Sequence, residues 1–362
     1  MAHEKPIRLR HLVVLLATLI LWTGSASAAP DNIERLSSAT SLDEAQITKI
    51  NEYASYWADL LQKGDSEDVR EARNRLVRPL RIVSGKSASL LFRTTYGKAL
   101  LPKLQEIVKA DSRYQAINAL QIATALSTPA ALSLLDEHLY IDDEPRAEVR
   151  LWSVIGVGRC INDDAIRFDK IKGSLRNLSG SAQVETNPLV LQRAMETLNE
   201  AVLNTRPNNL GGPELRSSAI TFQNEVLAAQ ISALEESKAS PEMVKAFHPA
   251  LILIRNQYIN PNLQQEQRTI GLESAPLMGR IYTVVLVNKD ALRADPELSR
   301  NVVLLMNSME STLKLIDSNI RPNQASPEAG TGAQFWSTGN TAGLELSREE
   351  WKKILTAAPY KQ

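Results

Sequence analysis

Residues 148–153 read EVRLWS, residues 111–116 read DSRYQA and residues 68–72 read DVREA. Each stretch places an acidic residue, a small or apolar residue and an arginine before a segment with the apolar spacing of a helix. The three arginines are 43 and 37 residues apart. We therefore predict that the first half of the chain contains helical units that recur roughly every 40 residues.

The second and third of these units continue in parallel. Residues 119–120 of one correspond to residues 156–157 of the other, and a shorter apolar helix precedes each, at 101–108 and 131–139. These features resemble HEAT-type repeats, two-helix units whose second helix begins with acid-x-Val-Arg and continues with small residues at the packing seam. The resemblance covers residues 65–160. It implies that helical hairpins stack side by side into an α-solenoid.

Two departures from the repeat pattern make the expected array irregular. Arg73, Arg75 and Arg78 stand where the first unit should carry small residues, and the helices beyond residue 213 are longer and show no repeat. Between the repeated region and residue 213, only the stretch VLQRA at 190–194 partly matches the motif. We expect an all-α fold, an irregular α-solenoid or multi-helix array of antiparallel helical hairpins. A plain multi-helix bundle is the alternative, because hairpins of any origin can imitate two or three such units.

Helix start signals recur along the whole chain. A polar residue followed by proline occurs at 128–129, 187–188, 240–241, 260–261 and 295–296. Proline suits a first helical turn because its missing N–H would have no partner there, and the polar residue caps a free backbone amide. Capping boxes at 41–44 and 347–350 predict two further helix starts. The β-branched stretch at 282–287 is interpreted as a buried helix, since a lone strand would have nothing to pair with.

The composition is that of a globular protein without disulfides. Its 362 residues are 43% apolar and include 41 basic and 41 acidic side chains. Cys160 is the only cysteine, so no intramolecular disulfide can form, and its apolar neighbours predict a buried position. Only His138 and His248 follow residue 28, too few for a His-rich zinc site. We predict no catalytic residue, no metal ligand and no cofactor.

The first 28 residues are predicted to be a secretory signal peptide. Three basic residues precede an apolar run at 12–22, which is too short for the roughly 20 residues that span a bilayer. The small residues at 26–28 suit a signal peptidase, so cleavage is expected after Ala28 and the protein is expected to be secreted or periplasmic. An uncleaved membrane anchor is the alternative. Cleavage leaves 38 basic and 40 acidic residues, so we expect no nucleic-acid partner. The later apolar runs, at 282–287 and 302–306, are too short to span a bilayer, so we expect no transmembrane segment in the mature chain.

The chain is expected to divide into a signal peptide (1–28), an all-helical repeat-like domain (29–320), a linker (321–343) and a short C-terminal helix and tail (344–362). The linker is rich in Pro, Gly, Ser, Thr and Asn, which is typical of flexible segments. It also carries Phe335 and Trp336. Because large aromatic side chains seldom remain solvated, we expect this pair to dock, either in a groove of the protein itself or on a partner.

A second candidate surface for a partner is an arginine ridge formed by Arg73, Arg75, Arg78 and Arg81. Clustered guanidinium groups attract an acidic protein or an anionic polymer of the cell envelope. The alternative is a solvated helix face whose charges are paired internally.

The leading functional hypothesis is a binding or scaffold protein of the periplasm or cell envelope. Its partner would be a protein or peptide, or an anionic envelope polymer, because stacked hairpins present long surfaces to such ligands. One alternative is an enzyme acting on envelope material, with carboxylates as acid, base or metal ligands: Asp136, Glu137, Asp142 and Asp143. The other is a structural envelope protein without a specific ligand.

Overall fold

A computed structural model describes residues 29–81 and 88–361. These residues form fifteen α-helices and five short 3-10 helices, with no strand among them. The all-α prediction is therefore confirmed, and residues 282–287 are helical as expected. The predicted signal peptide lies outside the described residues.

The α-helices run in chain order as Glu44–Lys63 (α1), Ser66–Val77 (α2), Leu90–Lys109 (α3), Arg113–Leu126 (α4), Pro129–Asp136 (α5), Ala147–Ile161 (α6), Phe168–Gln183 (α7), Pro188–Val202 (α8), Gly212–Glu235 (α9), Val244–Tyr258 (α10), Gln267–Val287 (α11), Lys289–Ala294 (α12), Pro296–Ile320 (α13), Thr331–Ser337 (α14) and Thr341–Leu355 (α15).

The helices pack in two layers. Helices α1, α3, α5, α7, α9, α11 and α15 form the first layer, in which each contacts the next. Helices α2, α4, α6, α8, α10 and α13 form the second layer in the same way, and helices of the two layers contact each other along the array. The helices that carry the repeated acid and arginine motif are consecutive members of the second layer. The array is thus compatible with a helical repeat-like fold.

Gly156 allows α4, α5 and α6 to pack closely against one another. A Cβ atom at Gly156 of α6 would lie 2.5 Å from Leu135 Cδ2 of α5 and 2.6 Å from Thr124 Oγ1 of α4. The glycine therefore permits a close approach that any side chain would obstruct. Cys160, one turn later, is fully buried, as predicted, and burial raises the pKa of its thiol to about 12.

The five pairs of a polar residue and proline all begin helices. Thr128, Asn187 and Asp295 accept backbone N–H bonds at the starts of α5, α8 and α13. Ser240 and Asn260 do the same for the 3-10 turns at Pro241–Met243 and Pro261–Leu263, which precede α10 and α11. These starts depend on hydrogen bonds between near neighbours, which is why the sequence predicts them well.

Both predicted capping boxes are displaced. Helix α1 begins after Asp43, whose side chain accepts from Gln46 N at 2.8 Å while Gln46 Oε1 accepts from Asp43 N at 3.0 Å. Helix α15 begins after Asn340, so Ser347 lies inside the helix instead of at its start. In each case another capping residue starts the helix at a different place, since Asn and Asp cap at least as well as Ser.

Helix α11 is the one described helix that is long and apolar enough to cross a membrane by length and composition. Half of that stretch is buried in the protein. It contacts α9, α10, α13 and α15, so its apolar surface is that of an internal helix of the array.

The segment predicted as a linker is packed against the domain. Glu310 of α13 is fully buried. Its carboxylate accepts hydrogen bonds from the backbone N–H groups of Gly330, at 2.5 Å, and Gly332, at 2.8 Å. It also accepts a hydrogen bond from the hydroxyl group of Tyr282. Burial raises the pKa of Glu310 despite these bonds. A buried carboxylate needs hydrogen-bond donors, and these two glycine N–H groups supply them. The bonds hold the turn at residues 330–332 against α13, and α14 begins within this turn.

A second carboxylate holds the end of the chain. Asp317 lies two turns after Glu310 on α13 and accepts from Arg321 at 2.7 and 2.6 Å, Ser326 Oγ at 2.5 Å and Tyr360 Oη at 2.9 Å. Burial acts to raise the pKa of Asp317, but these hydrogen bonds outweigh it and the pKa is lowered. The residues expected to form a flexible tail are therefore tied back to the domain as far as Tyr360, which is buried.

A buried ion pair joins α6 to the turn that precedes α8. Arg150 of α6 donates to Glu185 through Nε at 2.8 Å and Nη2 at 2.7 Å, and both side chains are 2% exposed. Glu185 also accepts from the amides of Thr186 and Asn187 just before α8. The motif arginine of one unit is thus bonded to the turn that starts the next second-layer helix.

Replacing Arg150 with Met should destabilise the protein by about 3 to 5 kcal/mol, because it leaves the Glu185 carboxylate buried without its cation. Urea unfolding followed by circular dichroism measures the loss. The matched control is Arg113→Met, at the corresponding position of the preceding unit, where the 3.0 Å pair with Glu148 is exposed and removal should cost less than about 1 kcal/mol. Equal effects of the two substitutions would contradict the role assigned to the buried pair.

Replacing Asp317 with Asn should destabilise the C-terminal segment by about 3 kcal/mol, since three donors lose a charged acceptor. The pH dependence follows from the lowered pKa of Asp317. Its stabilisation is complete above the ordinary value of 3.8 and is lost as the pH falls through the lower folded-state pKa. The hydrogen-exchange protection factors of residues 331–355 should therefore decrease below about pH 4 more steeply in the wild type than in the variant. Parallel pH profiles for the two proteins would refute the assignment.

Candidate functional site

The predicted arginine ridge is largely paired with neighbouring groups of the protein. Arg75 bonds Glu71 at 3.2 Å and lies over the Trp57 ring at 5.4 Å, and Arg78 lies 2.5 Å from Glu34. Arg73 donates to Gln121 Oε1 of α4 at 2.9 Å. Carboxylates therefore compensate the charge of Arg75 and Arg78, whereas Arg73 bonds a neutral amide oxygen.

Arg81, the last residue of the predicted ridge, is exposed. It lies directly before residues 82–87, which are outside the described part of the chain.

The two aromatic residues of the predicted linker dock on the protein itself. Trp336 is 3% exposed, and its Nε1 donates to the backbone oxygen and the hydroxyl oxygen of Ser299, both at 3.1 Å. Phe335 is half-buried and covers Gly343 of α15, where a Cβ atom would lie 2.6 Å from the ring. Trp336 therefore has almost no surface left for a partner.

A cleft of about 580 Å³ opens beside Trp336, between α12, α13 and α14. We call it the basic cleft, and its lining includes Arg293, Pro296, Ser299, Arg300, Val303 and Trp336. The Arg293 guanidinium lies over the Trp336 ring, 4.6 Å from its centroid. This cation–π contact stabilises the orientation of Arg293, so the indole acts as a support for the arginine.

The basic cleft carries uncompensated positive charge. Arg293 and Arg300 are both exposed, and neither forms an ion pair with any residue in the part of the chain that the structure describes. Two acids close to them in sequence are engaged elsewhere. Asp295 accepts the first amides of α13 at 2.7 and 3.2 Å, and Glu297 bonds Lys245 at 3.1 Å.

Two guanidinium groups without ion pairs suit a carboxylate or phosphate ligand. Each guanidinium presents a planar fork of N–H donors that matches two oxygen atoms of such a group. The cleft thus presents N–H donors of the kind that anions accept.

The carboxylates of the enzyme hypothesis are bonded to different helices. Asp136 accepts from Ser174 of α7, and burial raises its pKa to about 6. Glu137 accepts from Gln105 of α3 at 2.9 Å. Asp142 and Asp143 are exposed in the turn that follows.

His138 is buried beside this turn, with Nδ1 3.4 Å from Glu144 Oε2, and burial lowers the pKa of its imidazole. Across residues 29–81 and 88–361, no group of three or more His, Cys, Asp or Glu side chains is placed to hold a metal ion.

Sequence reasoning identified Trp336 but missed Arg293 and Arg300. The two arginines lie seven residues apart on either side of the 295–296 helix start, an ordinary pattern for a helical junction. Their relevance depends on Trp336 packing there from about 40 residues further along the chain. The only sequence signal was the aromatic pair in an otherwise polar stretch.

Comparisons with known proteins give no family. No protein-family model matches the chain, and no curated protein matches it. Among solved structures, the chain is similar to a crystal structure of an engineered protein from the Northeast Structural Genomics Consortium, at 14% identity, with 91% of this chain and 95% of that chain covered. The TM-score is 0.27, a level at which the similarity assigns neither fold nor function.

Proposed function

We propose that this chain is an exported HEAT-type helical repeat protein that binds an acidic partner, a protein or peptide of the periplasm or cell envelope. The repeat assignment is supported by the order of the helices. The motif helices α2, α4 and α6 follow one another in the second layer, and an arginine of each of the last two contacts the next unit. This is the packing expected of units that cannot bury their apolar faces alone.

The observation that carries the binding proposal is the pair Arg293 and Arg300 in the basic cleft. Two exposed guanidinium groups in one cleft repel each other unless an anion joins them. Arg293 is already oriented by its stacking on Trp336, so less side-chain entropy is lost when a ligand binds. An acidic side chain or a peptide carboxylate therefore fits the cleft better than a neutral ligand.

The enzyme hypothesis has weaker support. A carboxylate enzyme requires acids that converge on one cavity. Asp136 is instead hydrogen-bonded to Ser174 of α7 and Glu137 to Gln105 of α3, so the two carboxylates contact different helices.

The binding proposal is tested with a short fluorescein-labelled peptide of alternating glutamate and serine. The double variant Arg293→Gln/Arg300→Gln should weaken its binding by about tenfold or more, because hydrogen bonds to charged groups each contribute about 1.5 to 3 kcal/mol. Fluorescence anisotropy at fixed ionic strength measures the affinity. A soluble uronic-acid polysaccharide, added as a competitor, tests the anionic envelope polymer.

The control is Arg255→Gln, which removes one exposed arginine from α10, away from the cleft. Its affinity should stay within about twofold of the wild type, since rim charges contribute little. Equal affinity of the wild type and the double variant, or an equal loss in the control, would show that the cleft does not select the peptide.

Export is tested on the full chain produced in a Gram-negative bacterium. If residues 1–28 are a cleaved signal peptide, the protein recovered from the periplasm should begin at Ala29, because the small residues at 26–28 suit the peptidase. N-terminal sequencing reads this directly. A full-length chain retained in the cytosol, or in the membrane with Met1 intact, would contradict export of a mature protein.

A further inference from the structure

A second cavity lies on another side of the C-terminal helices, between α11 and α15. Its volume is about 430 Å³, within the range of small-molecule sites. Three of its eight lining residues, Pro276, Gly279 and Leu355, are apolar, and three others, Arg280, Arg348 and Lys352, are basic. The remaining two, Thr283 and Thr356, each carry one hydroxyl group. We call it the α11–α15 pocket.

The apolar side of the pocket is built by a close helix approach. A Cβ atom at Gly279 would lie 2.5 Å from Leu355 Cδ1, so the leucine side chain reaches the α11 backbone directly. Pro276, one turn earlier, has no backbone N–H to donate. None of these three residues has a side-chain donor or acceptor, so this surface favours hydrocarbon over a polar chain.

On the basic side of the pocket, the three positive side chains outnumber the carboxylates that pair with them. Arg280 is held by Glu235, with Nη2 at 2.5 Å from Oε2, and by Ser232 Oγ at 2.8 Å. Arg348 and Lys352 share one carboxylate, Glu349, at 2.8 and 4.0 Å.

Arg348 and Lys352 are four residues apart on α15. Like charges at that spacing repel each other on a helix. Three cations thus face two carboxylates, and a single negative charge in the pocket would balance them.

We propose that the α11–α15 pocket binds an acyl carboxylate, with the hydrocarbon chain against Pro276, Gly279 and Leu355 and the carboxylate between Arg348 and Lys352. A peptide carboxylate meets the same cations, but the pocket offers its backbone only the hydroxyl groups of Thr283 and Thr356, and that of Thr356 already donates to Lys352 O. Peptide N–H and C=O groups on the apolar side would therefore lack partners. A free phosphate would leave that surface unfilled. The acyl carboxylate satisfies both sides, and the proposal is independent of the basic cleft.

The test is isothermal titration calorimetry of the full mature chain with decanoate. Decanoate should bind one site per chain. Octanoate should bind on the order of tenfold more weakly, because each buried methylene contributes about 0.8 kcal/mol. Decanol, which has the same chain and no charge, should also bind at least about tenfold more weakly because it lacks the charged hydrogen bonds.

The variant Arg348→Gln/Lys352→Gln should weaken decanoate binding by about tenfold or more while retaining the wild-type circular dichroism spectrum and melting temperature. Lys352 is exposed, Arg348 is partly buried, and neither is among the buried core residues of α15, so the substitution leaves that buried face intact. Lys353→Gln, an exposed lysine on the same turn that does not line the pocket, should bind decanoate within about twofold of the wild type.

The Arg293→Gln/Arg300→Gln variant should bind decanoate with the affinity of the wild type, and this result would separate the α11–α15 pocket from the basic cleft. The proposal is overturned if decanoate does not bind or if decanol binds equally well. It is also overturned if the Arg348→Gln/Lys352→Gln variant keeps the wild-type affinity, or if an acetylated Val-Leu-Leu peptide binds more tightly than decanoate.

Discussion

Buried carboxylates that require hydrogen-bond donors organise this protein. Burying an isolated charge is very costly, so each such group brings together the segments that can neutralise or solvate it. Glu185 joins the start of α8 to Arg150 of α6, and the partly buried Asp163 bonds the buried Arg93 of α3 at 2.5 Å. Glu310 and Asp317 do the same for the end of the chain. In a chain that cannot form an intramolecular disulfide, these contacts set the register of helices that apolar packing alone would leave less well defined.

The position of the basic cleft follows from the same constraint. Glu310 holds the turn at Gly330 and Gly332, and α14 begins there. That helix places Trp336 against Ser299 of α13, and the indole in turn supports Arg293. A buried charge in the core is thus connected, through a short helix, to a guanidinium group at the surface. The site is a product of how the last part of the chain is packed.

Both cavities described above carry basic side chains and lie at the C-terminal end of the array. Arg75 and Arg78 of the first unit are paired with Glu71 and Glu34, whereas the two arginines of the basic cleft have no such partners in the described residues. The α11–α15 pocket adds a basic rim to an apolar surface. The two cavities differ in kind, since one presents guanidinium groups on an open surface and the other combines charge with hydrocarbon. They suit different ligands on one scaffold.

The sequence by itself determined the helical class, the five helix starts at a polar residue and proline, the burial of Cys160 and the order of the repeated motifs. All of these depend on hydrogen bonds and apolar spacing between residues a few positions apart. Only the tertiary structure decided that residues 321–343 are packed, that Arg78 is paired and that Arg293 lies over Trp336. Those contacts join distant parts of the chain, as Tyr360 and Asp317 do across 43 residues. From composition alone, the glycine- and serine-rich segment 321–343 is expected to be flexible. In the folded protein, the buried carboxylates of Glu310 and Asp317 accept hydrogen bonds from its amides and hydroxyls and fix its position.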